Sequence, residues 1–110
     1  MAVATKALYG ISVTITNAAQ QLLPLLVAVD ASLAGVLQNV QWMQIQSDDS
    51  NGANSVLVGD SLLSGSRYGL KLLVHEGQPQ FKEAMNIPLG AVYVMMGSGA
   101  SGQINVLIVT

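Results

Sequence analysis

Charge is the scarcest property of this sequence. Only 9% of its 110 residues are charged, whereas roughly 25% is usual for a soluble domain. The net charge is −2, which argues against binding to nucleic-acid phosphates, because such binding requires a basic face. Hydrophobic residues make up 51% of the chain, so much of the surface consists of apolar and neutral polar groups.

Two interpretations of this surface stay open. Monomeric proteins rarely leave large apolar patches exposed to water, so we expect other protein subunits to cover part of it. The alternative is a weakly charged monomer that its many neutral polar side chains keep soluble.

Cysteine is absent, which excludes disulfides, thiolate catalysis and cysteine-ligated metal sites. The single histidine, His75, has no second histidine with which to form the usual metal cluster. Glu76 and Gly77 follow it directly, and we interpret His75 as a solvated turn residue rather than a catalytic base. The sequence therefore predicts no enzyme activity, no cofactor and no metal.

Uninterrupted hydrophobic runs are also missing. Residues 22–40 have the length of a membrane span, but Pro24, Asp30, Gln38 and Asn39 interrupt them. An aspartate near the centre of a span costs roughly 3 kcal/mol, so we predict no span. The first ten residues hold Lys6, but no apolar run of adequate length follows them, so we expect no signal peptide.

Short strands separated by turns fill most of the chain. Residues 10–16 alternate β-branched apolar residues with Ser and Thr, which is typical of a half-buried strand. The same reasoning places further strands at 38–46, 55–58, 70–74, 81–85, 91–96 and 103–109. About seven or eight strands at this spacing predict an all-β fold, a single antiparallel β-sandwich or jelly-roll-like domain over residues 1–110.

Residues 18–37 suit two structures. In a helix, Leu22, Leu25, Leu26 and Val29 would share one face, and Pro24 would be tolerated only in the first turn. The segment 25–29 also suits a buried strand that Asp30 ends. We favour a strand followed by a loop.

The Gly/Ser segment 97–102 has the glycines of a phosphate-binding loop. It contains no lysine, however, and a strand rather than a helix follows it. We therefore predict that it connects the last two strands as an antiparallel hairpin.

Residues 47–54 are the densest run of turn formers. Asp48 and Asp49 are candidate calcium ligands, but the ligand spacing and the terminal glutamate of a calcium loop are missing. Asp and Asn side chains also bond to their own backbone in turns, and we favour that role here.

Aromatic residues are few. The only tryptophan, Trp42, lies in a predicted strand and suits either the core or an interface; we favour the core. Tyr9 and Tyr68 each lie beside a glycine and are the better interface candidates.

From Ser47 onward the order of features resembles a group of small virion proteins of tailed phages. The elements that carry this resemblance are short: Ile45-Gln46-Ser47 before Asn51-Gly52, Val56-Leu57-Val58-Gly59-Asp60-Ser61, the strand 69–73, and an ending with Leu89, Tyr93, Val94, Ser98, Gly102-Gln103 and Val106-Leu107. The resemblance covers about the last 65 residues. One departure is the turn Glu76-Gly77-Gln78-Pro79, where those proteins usually read Pro-Gly-Glu.

The resemblance implies a β-sandwich in the capsid, neck or tail of a tailed phage, and we expect it on the capsid surface or neck. We expect a structural virion protein, such as a decoration (cement) protein, that packs on major capsid or neck subunits and forms a homo-oligomer, with a trimer as one candidate. Strand edges at Ala2–Tyr9 or Val106–Thr110 are candidates for adding to a neighbour's sheet. We expect neither nucleic acid nor a membrane as a partner.

The alternative function is a neck or tail-appendage module that binds a receptor or glycan. It requires aromatic and Asp/Asn side chains at one loop end of the sandwich, and Tyr68, Asp48, Asp49 and Asn51 are its candidates.

Overall fold

Two antiparallel four-stranded sheets form a sandwich, so the predicted all-β fold is confirmed. The computed structural model describes residues 8–34, 39–75, 78–79 and 81–109. The strands are β1 (Leu8–Thr16), β2 (Gln20–Gln21), β3 (Asn39–Ser47), β4 (Val56–Gly59), β5 (Leu70–Leu72), β6 (Val74–His75), β7 (Gln78–Pro79), β8 (Phe81–Pro88), β9 (Tyr93–Met96) and β10 (Ser101–Val109). One helix, α1 (Leu22–Val29), and three short 3₁₀ turns, Ala31–Leu33, Asp49–Asn51 and Leu89–Ala91, complete the described part of the chain.

The strand order is that of a jelly roll. Sheet A has the order β1-β10-β3-β8, and sheet B has the order β2-β9-β4-β5. The early strands pair with the late ones in a nested series, β1 with β10, β2 with β9, β3 with β8 and β4 with β5. The chain therefore folds back on itself as one antiparallel ribbon that is rolled into two layers. The small hairpin β6–β7 lies outside both sheets, and His75 is at the end of its first strand.

The core lies between the sheets because the long strands alternate strictly. On β1 the odd-numbered residues Ile11, Val13 and Ile15 are buried, and the intervening Ser and Thr residues are exposed. On β10 the even-numbered apolar residues are buried in the same way. The resulting main core contains Ile11, Val13, Ile15, Leu22, Leu26, Leu33, Val40, Met43, Ile45, Val56, Val58, Leu72, Leu89, Val94, Met96, Ile104, Val106 and Ile108.

The preference for a strand at 25–29 is wrong, because Leu22–Val29 forms α1. Pro24 is the third residue of this helix and so lies in the first turn, where its missing N–H has no intrahelical partner to lose. Leu22 and Leu26, four residues apart, lie on one face and are fully buried. Val29 is exposed at the other end of the helix. α1 thus closes one end of the sandwich with an apolar face.

The predicted final hairpin is also wrong. β9 lies in sheet B and β10 in sheet A, so residues 97–100 cross from one layer to the other. Gly99 has φ +79°, and a Cβ on Gly99 would lie 2.8 Å from the Asn54 side chain. The glycines therefore serve a tight crossing between the sheets rather than a hairpin connection.

The position of β10 in sheet A shows that one of the two strand edges predicted to pair with a neighbour is wrong. β10 lies between β1 and β3, so Val106–Val109 is paired on both sides and has no free edge to offer a neighbour. The other proposed edge, Ala2–Tyr9, lies outside the described residues except for Leu8 and Tyr9. In the described part of the chain, no helix has both the length and the apolar character needed to cross a membrane.

Candidate interaction surface

The outer face of sheet A is an open surface built from residues that alternate with the core. Three cross-strand rows follow from the register: Leu8–Val109–Trp42, Gly10–Leu107–Gln44 and Ser12–Asn105–Gln46. The nine residues of these rows are all uncharged. One row is apolar and the next two are mainly amide and hydroxyl groups, so the face has a gradient from apolar to neutral polar.

A shallow groove of about 300 Å³ runs over this face. It forms at Gly10 because this residue has no side chain, and a Cβ placed there would meet no atom within 4 Å. The groove is lined by Gly10, Ile11, Ser12, Gln44, Gln46, Asn105, Val106 and Leu107. Its polar groups are amides and a hydroxyl, which both donate and accept hydrogen bonds without carrying charge.

Asn105 has a fixed orientation in this groove. The Ser12 hydroxyl donates to Asn105 Oδ1 over 2.8 Å, and Asn105 Nδ2 donates to Asp48 Oδ1 over 2.8 Å. The two bonds distinguish the amide oxygen from the amide nitrogen, since a carboxylate accepts only. The groove therefore has at least one ordered amide.

Asp48 caps the 3₁₀ turn Asp49–Asn51. Its carboxylate accepts from the hydroxyl and the backbone N–H of Ser50, at 2.6 and 2.9 Å. The hydrogen bonds from the Ser50 hydroxyl, from Asn105 and from the Ser50 N–H lower the pKa of Asp48. The hydrogen bonds of Asp48 to Ser50 are the role in a turn that the sequence analysis favoured over calcium binding. The described residues include no group of three or more His, Cys, Asp or Glu that would suit a metal ion.

Asn51 joins the same loop to β10 from the inside. Its buried amide donates to Ser47 Oγ over 2.9 Å and to the Gln103 carbonyl over 2.7 Å, and Oδ1 accepts from the Gln103 N–H over 2.8 Å. Gly102 is required beside it, because a Cβ there would lie 2.5 Å from Asn51 Oδ1. The side chain of Asn51 thus continues the hydrogen bonding of β3 with β10 past Ser47.

The outer face of sheet B is covered by the chain itself. Residues 60–69 fold over it, and Leu63 packs on Leu57 and Met95 in a small second core that Tyr93 borders. Asp60 stabilises the start of this loop by accepting from the Leu62 N–H over 2.9 Å, and that hydrogen bond is the main cause of a lowered Asp60 pKa. An exposed ion pair joins Arg67 Nη2 to Asp60 Oδ2 at 3.4 Å.

The residues that the sequence predicted as interface candidates lie at different places in the structure. Tyr9 is partly buried and packs against the main core. Trp42 is half-buried on the outer face of sheet A, so its predicted core position is wrong. Asp48 is half-buried at the rim of that face, and Asp49 is exposed. Tyr68 is 45% exposed and lines a groove of about 240 Å³ with Asp60 and Arg67.

Tyr68 and the aspartates lie at opposite ends of the sandwich. Asp48 and Asp49 follow the end of β3, whereas Tyr68 precedes β5 after the chain has run the length of β4. The structure therefore does not bring together the constellation that a glycan site at one loop end required.

The residues that sequence reasoning missed are Gln44, Gln46, Asn105 and Leu107. A signal for them was present, since each alternates with a buried residue on a long strand. Outward positions on a strand are usually ordinary solvated residues. Only the strand register and the missing side chain of Gly10 show that these four residues line one groove.

Comparison of the chain with protein-family models, with curated proteins and with solved structures gave no match. The resemblance to small phage virion proteins therefore rests on the sequence elements alone.

Proposed function

We propose that this protein is a structural component of a tailed-phage particle, a decoration or cement protein that packs on capsid subunits and stabilises the head. The proposal is supported by the resemblance, by the low charge and by the open outer face of sheet A. That face is the observation that carries it, because residues 60–69 cover the corresponding face of sheet B, whereas no described residue adds such a layer over sheet A.

The composition of the open face suits burial against another protein. Moving a charged side chain out of water costs several kcal/mol unless it is paired, and the cores of protein interfaces are accordingly depleted of charge. Leu107 and Trp42 offer apolar contact, while Gln44 and Gln46 offer hydrogen bonds. A partner that covers the three rows on β1, β10 and β3 therefore desolvates no ion of these rows, and the register places the charged Glu83 opposite Gln44 on the edge strand β8.

The size of the face is also appropriate. The strands β1, β10 and β3 lie about 4.8 Å apart and have nine residues of about 3.3 Å each, which makes a surface of about 430 Å². A standard interface buries about 800 Å² on each partner. The face and its rim are therefore large enough for the central part of a specific contact.

Binding to phage heads assembled without the protein tests the proposal. We expect the wild type to sediment with the heads and Gln44→Lys to bind at least tenfold more weakly, because the lysine places a charge in the interface. The matched control is Ser66→Lys, which adds the same charge on the exposed loop over sheet B and should bind like the wild type. Equal binding of the two variants, or no binding of the wild type, would contradict the proposal.

A second candidate is a module that binds a neutral glycan, and the groove favours it. Uncharged hydrogen-bonding groups line the groove, and Trp42 precedes Gln44 by two residues, about 7 Å along the same strand. A sugar ring offers hydroxyls to amides and an apolar face to an indole ring. On a glycan array we expect binding that Trp42→Ala abolishes and that Tyr68→Ala, at the opposite end, leaves unchanged.

A further inference from the structure

The two edges of sheet A differ in how they are protected. An exposed edge strand is a template for pairing with another chain, and proteins usually block it with charge, proline, a bulge or short length. β8, at one edge, contains Lys82 and Glu83 and ends at Pro88. β1, at the other edge, has nine residues with neither charge nor proline.

β1 is also regular and long. Its register with β10 is continuous from Leu8↔Val109 to Thr16↔Ser101, with no bulge to twist the edge away. The edges of sheet B are protected by their length, since β2 has two residues and β5 has three, one of them Lys71. Within the described residues, no strand pairs with the second side of β1.

We propose that β1 pairs with β1 of a second copy of this chain, antiparallel and about a twofold axis at Ser12. This register places Ser12 opposite Ser12, Ile11 opposite Val13, Gly10 opposite Thr14 and Leu8 opposite Thr16. It pairs all nine residues, more than any shifted register does.

The occupant is a second copy because β1 is complementary to itself. Residues directly opposite in an antiparallel pair lie on the same face, so the buried Ile11 and Val13 of one copy would continue the core row of the other. On the outer face Ser12 would meet Ser12, where a hydroxyl pair is favourable, and Thr14 and Thr16 would lie opposite Gly10 and Leu8 of the other copy. No like charges oppose each other, because β1 has none.

The dimer would join the two open faces. A twofold axis perpendicular to the sheet makes one eight-stranded sheet from the two sheets A, and the grooves at Gly10 of each copy lie on its same side. The proposal does not depend on the virion role, since it concerns the purified protein alone.

Single cysteine substitutions test the register, because the chain has no cysteine of its own. Opposed Cα atoms in an antiparallel pair are about 4.5–5.5 Å apart, within the range of about 4.4–6.8 Å that a disulfide spans. We expect Ser12→Cys to form a disulfide-linked dimer under mild oxidation. In Thr16→Cys the two cysteines would be separated by eight residue steps, about 26 Å, so this variant should stay monomeric on a non-reducing gel.

Light scattering gives a second measurement of the dimer, without disulfide cross-linking. We expect a concentration-dependent mass that approaches twice 11.4 kDa for the wild type and for Ser66→Lys, which adds a lysine on the exposed loop over sheet B. Ser12→Lys places two like charges opposite each other at the axis and should reduce the dimer at least tenfold. A wild type that stays monomeric, or cross-linking of Thr16→Cys as efficient as that of Ser12→Cys, would overturn the proposal.

Discussion

The two outer faces of this sandwich differ in whether a described segment of the chain covers them. Over sheet B, residues 60–69 add a layer, and Leu63 buries Leu57 and Met95 beneath it. Over sheet A nothing described adds such a layer, and Gly10 even leaves a groove. The covered face is apolar, whereas the open face has one apolar row beside two neutral polar rows.

Charge follows the same division. The loop over sheet B carries Asp60 and Arg67 on its exposed side, while the outward positions of β1, β3 and β10 carry none. Charged side chains suit a face that stays in water, whereas the cores of protein interfaces contain few charged residues. The charged residues of the described chain therefore lie outside the outward positions of β1, β3 and β10, and Glu83 on the edge strand β8 is the charged residue that the register places next to them.

The largest expected effect concerns the support of the open face. Asn51→Ala removes three hydrogen bonds and leaves the part-buried Gln103 N–H and the buried Ser47 hydroxyl without this partner. We expect a loss of about 3 kcal/mol in the free energy of unfolding, measured by urea denaturation. Asn17→Ala, an exposed asparagine at the same end, should change stability by less than about 0.5 kcal/mol. Similar values for the two variants would show that the Asn51 amide does not hold the loop to β10.

The cover of sheet B should depend on apolar contact. Leu63 is 6% exposed and Leu62 is 61% exposed, so these neighbours form a matched pair. We expect Leu63→Ala to cost about 2 kcal/mol, the lower end of the range for a buried leucine. Leu62→Ala should cost less than about 0.5 kcal/mol. Equal costs would show that the loop does not shield Leu57 and Met95.

A smaller effect is expected at the rim of the open face. Asp48→Ala removes the cap of the 3₁₀ turn and the partner of Asn105, which should cost about 1 kcal/mol at neutral pH. Because hydrogen bonds lower the pKa of Asp48 in the folded protein, its contribution is complete above the ordinary pKa of about 3.9 and is lost as the pH falls through the lower, folded-state value. The difference between wild type and variant should thus be constant from pH 5 to 8 and shrink below about pH 4. Asp49→Ala, the exposed neighbour, should show neither effect.

The smallest effect is expected at the ion pair on the covered face. Arg67 and Asp60 are 61% and 63% exposed and 3.4 Å apart, and such pairs contribute little because water and salt screen them. Arg67→Ala should therefore unfold like the wild type in urea at low and at high salt. A clear salt-dependent loss would mean that charge, as well as Leu63, holds the loop over sheet B.

Much of the fold could be predicted because it depends on local alternation. Ile11, Val13 and Ile15 identify a strand and its buried face without any long-range information. α1 could not be predicted in this way, since Leu25 and Leu26 suit a strand as well as a helix, and burial of Leu22 and Leu26 at one end of the sandwich decides between them. The sheet change after residue 96 was equally hidden, because a hairpin and a crossing use the same glycines.

The candidate surface was less predictable than the fold. Trp42 is an apolar residue in a strand, and only the register with Val109 shows which row it belongs to. The groove requires Gly10, Gln44 and Asn105 to be neighbours, although up to 95 positions separate them in the sequence. Such proximity is a property of strand pairing between distant segments, which no local pattern contains.

The position of β10 has a consequence for the order of events in folding. The last described strand, β10, lies between β1 and β3 in sheet A. Contacts between β1 and β10 are therefore far apart in the sequence, and the hydrogen bond from Ser12 to Asn105 spans 93 positions. Neither β1 nor β3 has this central neighbour until the ribosome has released residues up to Val109. We therefore expect slow folding of the kind that long-range β topologies show, and a sheet A that completes only after synthesis of β10.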